Sequence, residues 1–405
     1  MFRASRVWVS GPLAEFAEGF AAELAGLGYS PPSAEAQLRL MNHVSLWLVA
    51  RGLAVGDLGG EAAQAAFVAE RRGRYSHFRS RRALVPLLRF LRGRGLMPMV
   101  SVVAPTGAGE VLAGRFERYL STQRGLAPAT VESYLSQIRP FLLWHAGLSE
   151  ARWESLTSAQ VEAFIAVRAV GQRPRSVQVG LTALRALLRW MWLEGLAPRG
   201  LADAIGPVAT WTPTALPKAL TSGQVSDLVT GLSDDTAARR RDEAMLALMW
   251  RIGLRAGEVA GLCLQDIDWR AGVLIVRGKG DRREQVPLPA DVGELLAAYL
   301  QQARPAGRPD RQVFLAVDAP HHRLGADAVS SVVARAGVRG AVPGACGAHR
   351  LRHTAACRVL AGGGGLVEAG QLLRHATAEA TAVYARCDLA ALSVLVRPWP
   401  ARTLS

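Results

Sequence analysis

Residues 11–98 and 108–198 repeat one pattern, which limits the first half of this chain to two copies of a single small unit. Gly28, Pro31, Ser33, Glu35, Leu38, Trp47 and Phe67 fall opposite Gly125, Pro128, Thr130, Glu132, Leu135, Trp144 and Phe164, all at an offset of 97. After a three-residue slip the match resumes at an offset of 100. There Leu87-Leu88-Arg89-Phe90 faces Leu187-Leu188-Arg189-Trp190, and Gly95-Leu96-Met97-Pro98 faces Gly195-Leu196-Ala197-Pro198.

Helical periodicity fills both copies. In the second, Val131, Tyr134, Leu135, Ile138, Phe141 and Leu142 keep one apolar stripe behind Pro128 and the cap-type Thr130. Thr157 opens a further helix, and a third runs from Ser176 to Gly195. Each copy reads as an all-helical bundle. The chain's 405 residues exceed one ordinary core, so further domains are expected beyond the repeat. The segment around Pro207, Pro213 and Pro217 is poor in helix signals and reads as a linker. The expected layout is a helical module over 1–105 that duplicates a second module over 106–203, a linker at 204–217 and a different domain over 218–405.

In that last domain Thr221 caps a helix through Val225 and Leu228, and Arg241 to Ile252 forms another. Val273-Leu274-Ile275-Val276 and Gln285-Val286-Pro287-Leu288 flank Gly278-Lys279-Gly280 as a β-hairpin. Helical patterns return from Val292 to the end, including an apolar stretch from Leu389 to Val396. The fold class expected is mainly α, with a small β-hairpin or sheet confined to the last domain.

A net charge of +15 draws in polyanions, which puts nucleic acid first among partners and a membrane surface second. No apolar stretch is long enough to span a bilayer. Cys263, Cys346, Cys357 and Cys387 lack zinc-ligand spacing and read as reduced thiols, which points to the cytoplasm, with nucleoid association following from the charge. Arg79, Arg81 and Arg82 in the first copy and Arg173 and Arg175 in the second cluster at the start of the last helix of each bundle. They are candidates for contact with a phosphate backbone, as is Arg282 after the hairpin turn.

The chemistry-bearing residues gather in the last domain. Arg255 and Arg352 carry guanidinium forks suited to clamp one phosphodiester. Lys279 stands out because the chain has only one other lysine, Lys218, and an ammonium surrenders a proton far more readily than a guanidinium. His349 and His375 suit proton transfer near neutral pH. Tyr384, one of two tyrosines beyond the linker, is a candidate nucleophile. Such a set can cut DNA with no metal and no cofactor.

In order and spacing these residues resemble the tyrosine recombinases, the class of phage integrases, Xer-type recombinases and related transposon enzymes. Gly253 to Val259 is similar to the first arginine box, Arg277 to Leu288 to the lysine hairpin, His349 to Thr354 to the His-x-x-Arg box, and Leu372 to Tyr384 to the closing box. The resemblance implies that Tyr384 attacks phosphorus to give a 3′-phosphotyrosyl link, while Arg255, Arg352 and His375 stabilise the transition state. Lys279 would protonate the leaving 5′-oxygen and His349 would assist the tyrosine, with Glu258 and His353 supporting.

The resemblance further implies site-specific recombination on double-stranded DNA, without ATP, through a synaptic tetramer, with accessory recombinases among the possible partners; the tail helix would pack into a neighbouring protomer or fold back in cis. Two alternatives share much of the pattern: a type IB-like topoisomerase, and a catalytically silent DNA-binding accessory protein. Two positions depart from the family pattern. Arg374 stands where glycine usually precedes the histidine, and Arg350 where aspartate is frequent.

Overall fold

A computed structural model describes residues 7–97, 107–148, 152–172, 174–206, 219–278, 282–344, 346–375, 377 and 381–385. Its contacts form two compact units: Met99–Pro213 by itself, and Met1–Pro98 together with Thr214–Ser405.

The first helical module contains α1 (Ala17–Gly26), α2 (Pro31–Arg51), α3 (Glu61–Arg74) and α4 (Arg81–Gly93). Pro31 opens α2 where its missing N–H leaves no bond unmade, and Gly52 ends it at φ 63°. Helix α4 buries Leu84, Leu87, Leu88 and Leu91 on one stripe. The second module contains α5 (Ala108–Arg118), which runs on through a π-helical turn at Tyr119–Gln123, then α6 (Pro128–Ala146), α7 (Ser158–Ala169) and α8 (Pro174–Leu193).

The two interiors are built alike. Trp47 and Phe67 lie 5.6 Å apart in the first and Trp144 and Phe164 5.5 Å apart in the second. Phe20 and Phe90 are separated by 5.2 Å, and Phe116 and Trp190 by 5.3 Å. Gly95 and Gly195 turn at φ 73° and 69°, each followed by a leucine N–H bonded back to residue 91 or 191. Phe20 matches Phe116 at a spacing of 96 where the positions from Gly28 and Gly125 onward keep 97, so one extra residue falls between Phe116 and Gly125, the span that holds the π turn.

Local details differ from expectation. Ala127, not Thr130, is the N-cap of α6, because Pro128 takes the first helical position and draws Thr130 into the first turn. Packing of the second module runs past residue 203: Ile205 is buried, and Arg185 Nη2 donates to the carbonyls of Ile205 and Gly206 at 3.1 and 2.8 Å. The linker prolines 207, 213 and 217 and the tail beyond 385 lie outside the described residues.

The last domain begins with α9 (Ser222–Thr230), capped as expected by Thr221, whose side chain accepts from Gln224 N. Helix α10 (Thr236–Arg251) starts five residues before Arg241, because the Asp235 carboxylate caps Ala237 N and Ala238 N at 2.9 and 3.1 Å. It buries every residue from Ala244 to Met249, so it runs through the core rather than over it. Helix α11 (Ala256–Gly261) follows.

Strands β1 (Ile267–Asp268), β2 (Val273–Arg277) and β3 (Arg283–Pro287) then form an antiparallel sheet in that order, with Leu274 paired to Val286 and Val276 to Glu284. Leu274, Val276 and Val286 turn one face into the core. The two-residue β1 extends the expected hairpin to three strands. Helix α12 (Ala290–Gln302) is followed by a long connection without helix at 303–325, contrary to the continuous helical pattern expected from Val292. Arg304 holds that connection, donating to the carbonyls of Asp310, Gln312 and Val313. Helices α13 (Ala326–Arg339), α14 (Ala348–Ala361) and α15 (Leu366–Leu373) complete the domain, which is mainly α with one small sheet, as expected.

Candidate active site

The end of α10 begins the site. Gly253 turns the chain at φ 73°, and a Cβ there would stand 2.7 Å from Leu373 Cδ2. Arg255 is then the N-cap of α11, with Glu258 at the third helical position. One Glu258 oxygen accepts the Arg255 backbone N–H at 2.8 Å and the other accepts from its guanidinium at 2.6 Å. The Arg255 side chain remains nearly half exposed, whereas that of Glu258 is buried. The first-arginine box therefore holds the carboxylate half of a capping box, and that carboxylate also orients the arginine whose backbone N–H it accepts.

His349, Arg352 and His353 sit on α14 at i, i+3 and i+4, on one helical face. Arg352 is 2% exposed, and its two terminal nitrogens donate to the carbonyls of Gly253 and Leu373. Burial lowers its pKa to about 10, helped by the cations Arg255 and Arg374. The guanidinium is fixed by backbone on two sides and stays charged at neutral pH.

Helix α15 ends in a left-handed turn at Arg374, φ 53°, where Arg374 N bonds to Gln371 O and His375 N to Gly370 O. That turn delivers His375. Its Nδ1 lies 2.8 Å from Thr381 Oγ1, and Thr381 itself is buried against Gly370, where an added Cβ would come within 2.9 Å of the same hydroxyl. Tyr384 is 1% exposed; its ring stacks on His375 at 6.2 Å and its hydroxyl is 2.7 Å from His353 Nδ1. His349 packs edge-on against His353 at 4.2 Å.

Burial lowers the pKa of His353 to about 4, with His349, Arg352 and His375 adding repulsion, and that of His375 to about 4, with Arg352, Arg255 and Arg374 adding theirs. Both imidazoles are neutral at pH 7. Burial pushes the Glu258 carboxyl up, but the Arg255 N–H and the guanidinium groups of Arg374 and Arg255 outweigh it and hold it below the usual range. The result is two neutral histidines and the buried Tyr384 hydroxyl among the guanidinium groups of Arg255, Arg352 and Arg374, an arrangement suited to hold an anion such as a phosphate.

The structure thus brings Arg255, Glu258, Arg352, His353, His375 and Tyr384 together, with His349 beside His353. Lys279 lies outside the described residues; the strands that flank it are β2 and β3. Among the described residues no three His, Cys, Asp or Glu side chains group to hold a metal ion, and Cys263, Cys346 and Cys357 form no disulfide. No helix among them is long and apolar enough to cross a membrane.

The sequence gives no role to Thr381 or Glu284, and for Arg374 it offers only altered local packing or an added phosphate contact. Arg374 signals itself only as an arginine in a glycine position. Its Nη2 is 2.6 Å from Glu258 Oε2. Arg350, the other departure, donates to Pro343 O at 2.7 Å.

The candidate backbone-contact arginines lie elsewhere. Arg79, Arg81 and Arg82 are exposed around the α3–α4 turn. Arg72 and Arg79 exchange hydrogen bonds with each other's carbonyls, and Arg81 pairs with Glu61 at 2.8 Å. Arg175 is exposed at the start of α8, lining a groove with Ser133, Tyr134 and Gln137 of α6; Arg173 lies outside the described residues. Arg282 is exposed, and its carbonyl accepts from Gly278 N at 2.8 Å, closing the hairpin loop.

Residues 218–390 match the "Phage integrase family" and residues 113–195 the "Phage integrase, N-terminal SAM-like domain". The integrase/recombinase-type protein y4rA of Sinorhizobium fredii is 36% identical over 400 residues, covering 96% of this chain and 95% of the relative. Tyrosine recombinase XerC of Yersinia pestis is 31% identical over 285 residues, covering 69% of this chain and 91% of its own. The fold is shared with XerH recombinase in a post-cleavage complex with a palindromic difH substrate, at 17% identity and TM-score 0.58 over 74% of this chain and 98% of that one. It is shared also with a lambda integrase dimer bound to a COC′ core site, at 18% identity and TM-score 0.54 over 73% and 99%.

Proposed function

Since the chain belongs to the phage integrase family of tyrosine recombinases, enzymes that cut and rejoin DNA strands, we propose that its site-specific recombination runs through Tyr384 as nucleophile. The observation that carries this reading is the Tyr384 hydroxyl held 2.7 Å from a neutral imidazole, with Arg255, Arg352 and His375 in the same cluster.

The steps follow from the groups. Arg255 and Arg352 take the non-bridging oxygens of the scissile phosphate, and His375 donates a third hydrogen bond. Tyr384 attacks phosphorus as its proton passes to the imidazole of His353 or His349, forming a 3′-phosphotyrosyl ester and breaking the bond to the 5′-oxygen. Lys279 supplies the proton to that leaving oxygen. Rejoining reverses the sequence with a 5′-hydroxyl from another strand, so the phosphodiester energy is kept in the ester. Double-stranded DNA is the substrate, and a tetramer of this chain on two duplexes is the assembly in which strands exchange. The first helical module acts as a second DNA-binding unit beside the SAM-like one, a reading supported by the matched aromatic interiors and the exposed Arg79 and Arg82.

The test uses a nicked suicide duplex carrying the sequence that the full chain enriches from a random duplex pool. Wild type should form a covalent adduct and Tyr384→Phe none. An adduct that persists in Tyr384→Phe removes the nucleophile assignment, and a wild type that binds its enriched site without reacting favours an accessory role. Strand exchange between two duplexes, as opposed to relaxation of supercoils alone, separates a recombinase from a topoisomerase.

A further inference from the structure

Arg374 occupies a backbone position that costs an arginine strain, and its side chain is spent inside the protein. At φ 53° it takes the residue slot of a left-handed helix end, where glycine is the default. The side chain is 8% exposed. Its Nη2 lies 2.6 Å from Glu258 Oε2 and its Nε 3.8 Å from Glu284 Oε2, while Nη1 donates to Leu372 O at 3.0 Å. Glu258 in turn holds the Arg255 guanidinium with its other oxygen at 2.6 Å. A continuous ionic chain therefore runs from Arg255 through Glu258 to Arg374 and on to Glu284. It joins the start of α11, the end of α15 and strand β3, the outgoing strand of the hairpin that carries Lys279.

We infer that Arg374 is a positioning residue of the cleavage reaction: it fixes the Glu258 carboxylate that aims Arg255, and ties that pair to the lysine hairpin and to the turn that delivers His375. This rests on the proposed tyrosine-recombinase chemistry. A neutral residue at 374 leaves Glu258 buried with one cation partner fewer, and Arg255 loses the fixed oxygen that orients it. Glu258 is faced by Arg255 and Arg374 at contact distance and by the field of Arg352 from α14. Removing Arg374 raises the Glu258 pKa by taking away an attracting cation, and raises that of His375 by taking away a repelling one.

Three variants separate charge from backbone. Arg374→Gly relieves the left-handed strain and removes the cation. Arg374→Asn also tolerates that conformation and is neutral, and Arg374→Lys keeps a cation. Each is assayed in the full chain for single-turnover adduct formation on the suicide duplex described above, across pH, alongside its melting temperature and its affinity for the same duplex. The glycine and asparagine variants should stay folded at the assay temperature and bind DNA as wild type does, yet cleave on the order of ten- to a hundredfold more slowly, with the acid limb of the rate profile moved to higher pH. The lysine variant should recover most of the rate.

Glycine or asparagine variants that cleave at the wild-type rate with an unmoved acid limb overturn the inference. So does a lysine variant as slow as the glycine one. A wild type that forms no adduct removes the recombinase reading itself, whereas an active wild type with indifferent variants removes only the role of Arg374.

Discussion

His353 and His375 show how single residues set the charge of this site. Their pKa values of about 4 lie below the ordinary histidine value, so between pH 6.5 and 4 the unfolded chain binds protons that the folded chain refuses. Stability is therefore full above about pH 6.5 and is lost as pH falls toward 4. Thermal melts from pH 8 to 4 should show that slope, and the double variant His353→Gln/His375→Gln should flatten it; an unchanged slope assigns the loss to other groups. Burial comes first in keeping both rings neutral, and a bound phosphate would offset the repulsion that the neighbouring cations add, so DNA binding should raise both pKa values and take up protons as pH falls below about 6. Calorimetry in buffers of different ionisation enthalpy reads that uptake, and buffer-independent heats would contradict it. Gly253 is a third residue with a measurable consequence. Alanine there meets both a left-handed φ of 73° and Leu373 Cδ2 at 2.7 Å. It should cost about 1–3 kcal/mol in chemical denaturation, and slow adduct formation further by moving the carbonyl that holds Arg352.

Elements were legible where the sequence carries its own punctuation. Thr157 and Thr221 announce α7 and α9 because a threonine three residues ahead of a glutamine satisfies two end groups at once, and both boxes are formed. The alternation of Leu274, Val276 and Val286 marks the hairpin for the same local reason. Strand β1 escaped notice because Ile267-Asp268 has no period of its own and is a strand only by pairing with Val273 and Leu274. The connection at 303–325 takes its order from Arg304, which gathers three carbonyls of the same segment, and from backbone bonds to Leu262 and Leu264 some fifty residues away, which no local periodicity records. The same distinction divides the site. Arg255, Arg352, His375 and Tyr384 are visible as spacings, whereas the Glu258–Arg374 contact spans 116 residues and the His353–Tyr384 contact 31. Inside the repeat, equivalent packing predicts equivalent cost. Phe67→Ala and Phe164→Ala should each destabilise their own module by about 3–5 kcal/mol, since each removes a buried ring that meets a tryptophan. Hydrogen exchange should then rise in α2 for the first variant and in α6 for the second, with α10 unaffected in both; protection lost in α10 would show that the cores are not independent.

At the scale of the whole molecule, the question is what the first hundred residues add. The two family matches begin at residue 113, and XerC is matched over 69% of this chain although 91% of its own length is used, whereas y4rA extends over 96%. The additional part repeats the interior of the SAM-like module, so its function is expected to differ by surface and not by fold. Its surface is basic: between residues 71 and 94 stand nine arginines and no acid. Of these, Arg71 is buried and donates to the carbonyls of His77 and Phe78, fixing the turn, and Arg81 is engaged with Glu61. Arg79 and Arg82 remain exposed on that fixed turn. If they meet backbone phosphate, each contact contributes about 0.9 to the slope of log affinity against log salt concentration. The full-length variant Arg79→Gln/Arg82→Gln should therefore bind the enriched duplex with a slope shallower by about 1.8, while keeping the same cleavage position. A chain beginning at Thr106 should in addition protect a shorter stretch of duplex from nuclease. An unchanged slope in the arginine variant together with an unchanged footprint in the shortened chain would turn the module away from DNA, leaving its likeness to the SAM-like domain as one of architecture alone.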